Sequence, residues 1–205
     1  MLTQKEKIIL FGSIGVTSMA LSYYFRDDIK KVIKKTFGGY MWFDESLKWY
    51  RNVGTKGKVE TLHPLVRDNF KEFISRVEKE LGLQIIATSG YRDYAKQAAL
   101  HDENPNNAEA GKSDHNFGFA LDINVLNAKG QNILGKSSTK DAWIKSGVVA
   151  IAKKMGLLWG GDFEGYHDPV HFYVKTQGTT QLAQLVKQGR IDFKGYVLSK
   201  DVKLS

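Results

Sequence analysis

Cysteine is absent from the 205 residues, which excludes thiolate metal sites, a disulfide scaffold and a cysteine nucleophile. Acidic side chains are in deficit: 22 Asp and Glu stand against 30 Lys and Arg, a formal charge of +8. A surplus of that sign favours polyanionic surroundings, whether nucleic acid, anionic lipid or an acidic cell-wall polymer, and does not choose among them. There is no internal repeat and no low-complexity tract. At 42% hydrophobic and 12% aromatic residues the chain can bury a real core, and its length suits one compact domain with a terminal appendage.

Charge is also missing from residues 8–25, from Ile8 to Phe25. An apolar run of about 18 residues is at the short end of a bilayer span. Lys5 and Lys7 precede it, Tyr23 and Tyr24 stand where interfacial aromatics belong, and Arg26, Lys30, Lys31, Lys34 and Lys35 follow. A hydrophobic membrane-anchoring helix is the first reading. A cleavable signal peptide, with Ser18-Met19-Ala20 as its small-residue site, is the second, and a buried or interfacial helix the third. The heavier basic flank lies after the run, which by the positive-inside rule keeps the downstream domain cytoplasmic. Residues 26–60 read as a basic connector, its Lys-rich start either lying on anionic lipid or forming a solvated helix face.

The folded domain is expected over residues 61–175, with 176–205 as a C-terminal extension. From Pro64 to Leu81, Val66, Phe70, Phe73, Ile74 and Val77 keep helical spacing, and Gly82 stops the helix. Leu83–Thr88 reads as a buried strand and Asp93–His101 as a helix capped by Asp93. Phe117–Val125 alternates as a strand does, with His115 at its entrance and Asp122 inside it. Asp141–Met155 is expected to be one helix burying Trp143, Ile144, Val148, Ile151 and Ala152; His171–Val174 returns as a strand and Thr179–Gln188 as a last helix. Helices and strands mix without regular alternation, so the fold class is α+β around a small antiparallel sheet flanked by helices.

Two clusters carry chemistry: Ser113–Asp122, with His115 and Asp122, and His167–Phe172, with His167, Asp168 and His171. His167 and His171 have the four-residue spacing of a zinc-protease helix, but Pro169 between them breaks such a helix. A strand-borne site must draw its ligands from separate strands, and His115, Asp122 and His171 fit that plan. Two imidazoles, one carboxylate and a spare acid at Asp168 are the inventory of a hydrolytic zinc site. His167 reads as a loop residue or a partner to a ligand, and His63 and His101 as structural or exposed.

The pattern Ser113-x-His115-x-x-Gly118-x-Ala120-x-Asp122, followed by Asp168-x-x-His171-Phe172, resembles the LAS metallopeptidases, the D-Ala-D-Ala carboxypeptidase and L-alanyl-D-glutamate endopeptidase group. Ser89-Gly90-Tyr91-Arg92 with Gln97, and Gly156-x-x-Trp159-Gly160-Gly161-Asp162, are similar to further motifs of that family in the same order. The resemblance covers about residues 61–175 and implies a fold shared with the hedgehog signalling domain. It implies that His115, Asp122 and His171 bind one zinc ion, that Asp168 is the acid/base, and that Arg92 binds or polarises the substrate carbonyl. Asp162 and Glu164 are alternative proton carriers in the same loop; the motif order puts Asp168 ahead and leaves Asp162 to hold the Gly-Gly turn. Arg92 has a plainer alternative, pairing with Asp93 or Asp122. Gly118 and Ala120 are expected to leave room beside the metal, and Ser113, Tyr91, Gln97 and Trp159 to line the substrate groove.

An aspartate at position 168, where the vancomycin-resistance dipeptidases use glutamate, is similar to the endopeptidase branch, which includes phage endolysins and wall-remodelling enzymes. The function implied is cleavage of peptidoglycan stem peptides between L-Ala and D-Glu, by a monomer. The alternatives are a D-Ala-D-Ala carboxypeptidase and a non-catalytic zinc-binding module, the latter opposed by the presence of both Asp168 and Arg92. Nucleic-acid binding is set aside, because the basic residues concentrate outside the motif-bearing domain and no recognised module is present. A wall substrate requires an extracytoplasmic domain, in the periplasm or cell wall, anchored or secreted, against the charge bias around residues 8–25. A phage lysis enzyme waiting inside until lysis reconciles the two.

Overall fold

A computed structural model describes residues 52–204. The apolar run at residues 8–25 and the connector up to residue 51 lie outside the described residues. Among the described residues no helix is long and apolar enough to cross a membrane.

The framework is a five-stranded antiparallel sheet. Its strands are β1 (Gln84–Ser89), β2 (Ala120–Leu126), β3 (Asn132–Leu134), β4 (Leu158–Trp159) and β5 (His171–Tyr173), in the order β1-β2-β5-β4 with β3 against β2. Helices α1 (Val53–Glu60), α2 (Pro64–Leu81), α3 (Tyr94–Glu103), α4 (Lys140–Lys145), α5 (Val148–Lys154) and α6 (Thr179–Lys187) flank it. The class is α+β, as the sequence implies.

Strand alternation sorts the central strands into two faces. Leu121, Ile123, Val125 and Phe172 are fully buried. Phe172 meets Phe73 of α2 at 5.3 Å and Trp143 of α4 at 5.9 Å between ring centroids. Each such side chain stabilises the fold by about 1.5–3 kcal/mol through its removal from water. Helix α2 forms as its spacing predicts: Pro64 sits in the first turn, Phe70, Phe73, Ile74 and Val77 are buried, and Gly82 closes it in the left-handed region at φ 66°. The other face of β2 and β5 carries Asp122 and His171, which the antiparallel register sets directly opposite each other.

Three boundaries differ from the sequence expectation. Helix α1, assigned to the connector, docks on β1, where Thr55 Oγ1 accepts from Ala87 N at 3.1 Å while Val59 is fully buried. The extension after residue 175 is also packed in: Val197 is buried, and its carbonyl accepts from His63 Nε2 at 2.8 Å. The single helix expected over Asp141–Met155 is two, because Gly147 takes φ 83° and starts a new helix. Within the short α4, Trp143 turns to the core against Phe172, while Ile144, one residue and about 100° further round, is half exposed at 50%.

Candidate metal centre

His115 stands on a short 3-10 turn, Asp114–Phe117, immediately before β2. Ser113 caps the turn by accepting from His115 N at 3.4 Å, and Gly118 ends it at φ 76°. A Cβ on Gly118 would also lie 2.6 Å from His63 N. Its role is therefore this tight turn against the start of α2; the expected role of leaving room beside a metal is not what the packing requires of it. Asn116 ties the turn to its surroundings, donating to Arg92 O at 2.9 Å and accepting from Gly111 N at 2.9 Å.

The His115 imidazole is fully enclosed, and its Nδ1 lies 2.7 Å from Gly90 O. A carbonyl only accepts, so Nδ1 carries the hydrogen and Nε2 keeps its lone pair. Glycine is required at position 90, since a Cβ there would stand 2.4 Å from Lys58 O. The Nε2 lone pair faces Asp122 Oδ1 at 3.0 Å and His171 Nδ1 at 3.2 Å, and His171 Nδ1 is 3.0 Å from the same Oδ1.

These three atoms are the one candidate metal cluster among the described residues. All three are natural acceptors, and a single proton on His171 Nδ1 leaves His115 Nε2 facing a carboxylate oxygen with nothing between them. A divalent cation resolves that crowding. Ligands about 2.0–2.1 Å from a tetrahedral zinc lie about 3.3 Å apart, close to the spacing found here. A borderline-soft ion with a mixed nitrogen and oxygen donor set fits these residues.

The electrostatics follow from the same enclosure. Burial keeps the His115 imidazole below its ordinary pKa, which favours the neutral ligand form. Burial alone would raise the Asp122 carboxyl, but contact with His115 and His171 outweighs it and holds the group well below the usual carboxylate range. Burial and the nearby Asp122 charge push Asp168 upward. Asp168 is fixed through its backbone, donating to Gly160 O at 3.2 Å and accepting from His171 N at 3.2 Å.

Arg92 reaches across to this centre. Its Nη2 donates to Asp122 Oδ2, its Nη1 to Gln97 Oε1 and its Nε to Ser89 Oγ, each at 3.0 Å. The carboxylate oxygen that Arg92 holds is not the one facing the histidines. Gln97 is buried and turns its amide nitrogen to Ala108 O, closing the network. A groove of about 610 Å³ is lined by the two histidines, Asp122, Arg92, Gln97, Ser113 and Asp168.

Residues 106–174 match the family described as D-alanyl-D-alanine carboxypeptidase. The peptidoglycan L-alanyl-D-glutamate endopeptidase CwlK of Bacillus subtilis (strain 168) is 30% identical over 122 residues, 54% of this chain and 71% of that protein. The chain belongs to this peptidase family. Among solved structures, Serratia marcescens L-Ala D-Glu endopeptidase ChiX is similar at TM-score 0.46 and 20% identity, over 60% of this chain and 87% of that one. The LD-carboxypeptidase LdcB is similar at TM-score 0.41 and 18% identity, over 69% of this chain and 79% of that one.

Two residues expected in this peptidase's groove lie outside its lining. Trp159 is 2% exposed and donates from Nε1 to Pro169 O at 2.8 Å, which holds the segment leading into His171. The glycines after it are packing requirements: a Cβ on Gly161 would enter the Trp159 ring and one on Gly160 would strike Asp168 O. Tyr91 is partly exposed and meets Tyr196 edge-on at 6.0 Å. His167 is a loop residue, and Asp162 faces Lys140 and Lys153. His63 is structural: it caps α2 by accepting from Leu65 N. Ser89, Gly90, Asn116 and the groove-lining Asp114, whose carboxyl burial raises, were not singled out from the sequence. Ser89 and Gly90 lie inside the Ser-Gly-Tyr-Arg motif, which is the signal that marks them.

Proposed function

We propose that the chain is a zinc peptidase that cuts peptidoglycan stem peptides between L-Ala and D-Glu, acting outside the cytoplasmic membrane. The observation that carries this reading is the convergence of His115 Nε2, Asp122 Oδ1 and His171 Nδ1 beside Asp168 in one groove. The likeness to an L-alanyl-D-glutamate endopeptidase supports the bond assigned, and membership of the family supports a peptidase acting on peptidoglycan peptides.

Zinc held by these three side chains would supply Lewis acidity toward the scissile carbonyl and a readily deprotonated water. Asp168 takes a proton from the attacking water and delivers it to the nitrogen of the departing amine. Its raised pKa suits both halves of that transfer. Arg92 orients Asp122 through Oδ2, as outer-sphere partners orient metal ligands elsewhere. With three of its five N–H groups bonded, it keeps two for a substrate oxygen.

A second reading, a D-Ala-D-Ala carboxypeptidase, is favoured by the description of the matched family. Digestion of purified stem peptides followed by mass spectrometry separates them. The endopeptidase releases L-Ala-terminated and D-Glu-initiated fragments, whereas release of D-Ala alone overturns it. Asp168→Ala is expected to lower kcat by about 10²–10⁴ while zinc stays bound; unchanged turnover removes Asp168 from the mechanism.

A further inference from the structure

Four cationic side chains line the groove: Arg92, Lys96, Lys112 and Lys136. Arg92 is engaged by Asp122 and Lys112 by Glu109. Lys96 and Lys136 form no salt bridge among the described residues, and they come from separate segments of the chain. Lys96 is on α3. Lys136 is in the turn between β3 and α4 and lines the same groove as Asp168.

The backbone under Lys136 is held firmly. Gly135 N donates to Ser138 Oγ at 3.0 Å, and Gly135 O accepts from Ser138 N at 3.0 Å and from Trp143 Nε1 at 3.3 Å. Ser138 O is in turn 3.4 Å from His167 Nε2, joining this turn to the loop that ends in Asp168. The Lys136 charge acts on the Asp168 carboxyl, drawing its pKa down against the larger opposing effects of burial and Asp122. A lysine on a fixed turn, joined through Ser138 to His167, therefore shares the groove with Asp168, the group assigned to protonate the departing amine.

The substrate chemistry makes that position meaningful. A D-glutamyl residue has one amine, released when the bond to L-Ala is cut, and two carboxyl groups. A stem peptide continues through one of them, so the other remains a free carboxylate a few bonds from the departing nitrogen. Bringing it beside Asp168 and Asp122 sets like charges together, which an adjacent cation offsets.

We propose that Lys136 binds the free carboxylate of the D-glutamyl residue on the departing side of the scissile bond and selects substrates that carry it. This assignment rests on the L-Ala–D-Glu reading above. A hydrogen bond to a charged group is worth about 1.5–3 kcal/mol, or about 10- to 100-fold.

The test measures kcat/KM for two synthetic L-Ala–D-Glu stem peptides that differ only in whether that carboxyl is the free acid or the carboxamide. The wild-type full chain with its zinc is expected to prefer the acid by about 10- to 100-fold. Lys136→Gln should lower cleavage of the acid far more than that of the amide, bringing the two rates together, and be rescued by Lys136→Arg. Equal losses on both peptides in Lys136→Gln overturn the assignment, as does loss of the preference in Lys96→Gln with Lys136→Gln behaving as wild type. If the wild type cuts both peptides equally, the assignment fails while the endopeptidase reading stands. If it cuts neither at the L-Ala–D-Glu bond, the reading itself has failed and the assignment with it.

Discussion

The two faces of β2 and β5 differ in everything except the backbone that they share. On one, Leu121 and Phe172 are register partners and both fully buried against the helices. On the other, one residue along, Asp122 and His171 are register partners and line an open groove. Antiparallel pairing thus places the two candidate ligands opposite each other for the same reason that it pairs the two core residues. The lesson is that the face bearing the candidate metal centre shares its register with the apolar one. A one-residue slip of β5 would exchange Phe172 for His171 and destroy core and site together.

That comparison can be broken from either side. On the polar face, His171→Ala is expected to remove zinc and lower kcat/KM by at least about a thousandfold, or about 4 kcal/mol, with the melting behaviour of the metal-free protein changed far less. On the apolar face, Phe172→Ala should cost about 3–5 kcal/mol of stability by opening a cavity against Phe73 and Trp143. Denaturant titration checks it, and activity at low temperature, where the variant is still folded, reports whether the ligands keep their places. A smaller loss tests how the groove supports the ligands: Arg92→Gln is expected to lower zinc affinity or activity by about 10- to 100-fold. Arg92→Lys should not restore it, because a single ammonium cannot bridge Ser89, Gln97 and Asp122 at once.

The smallest effect concerns a histidine outside the groove. His63 is buried, stacks on Phe119 at 4.6 Å and caps α2 as a neutral acceptor. Burial lowers its pKa below the ordinary 6.5, so between that value and its folded value the unfolded chain binds more protons. Its contribution to stability is fully present above pH 6.5 and is lost as pH falls through the lowered value. The wild type should therefore lose more stability than His63→Gln between neutral and mildly acidic pH in parallel denaturant titrations. Identical slopes would remove His63 from the pH response.

Much of this was legible in the sequence, and the reasons differ by residue. His115, Asp122 and His171 could be read because their spacing and side-chain chemistry belong to one motif, and because Pro169 excluded the helical alternative with His167. The alternation of β2 and the spacing of α2 are local, so those elements also read directly. Of the Arg92 fork, pairing with Asp122 was among the alternatives that the sequence offered, whereas the bonds to Ser89 and Gln97 were not, and Ser89 meets Asp122 only across a bulged β1–β2 register. Trp159 looked like a groove residue beside a glycine pair and is instead packing under the Asp168 loop. The docking of α1 and of Val197 was invisible because both contacts join segments far apart in the chain. Gly147 breaks a helix whose apolar spacing runs on through it, a case where one backbone angle overrides a periodic pattern.

The central claim is that one divalent ion is held by three side chains brought together by strand pairing. Elemental analysis of the purified full chain beside Asp122→Ala tests it most directly. The account predicts one zinc per wild-type chain and loss of both zinc and stem-peptide cleavage in the variant. Wild-type protein that cleaves at full rate without stoichiometric metal, or a variant that keeps its zinc and its activity, would contradict it.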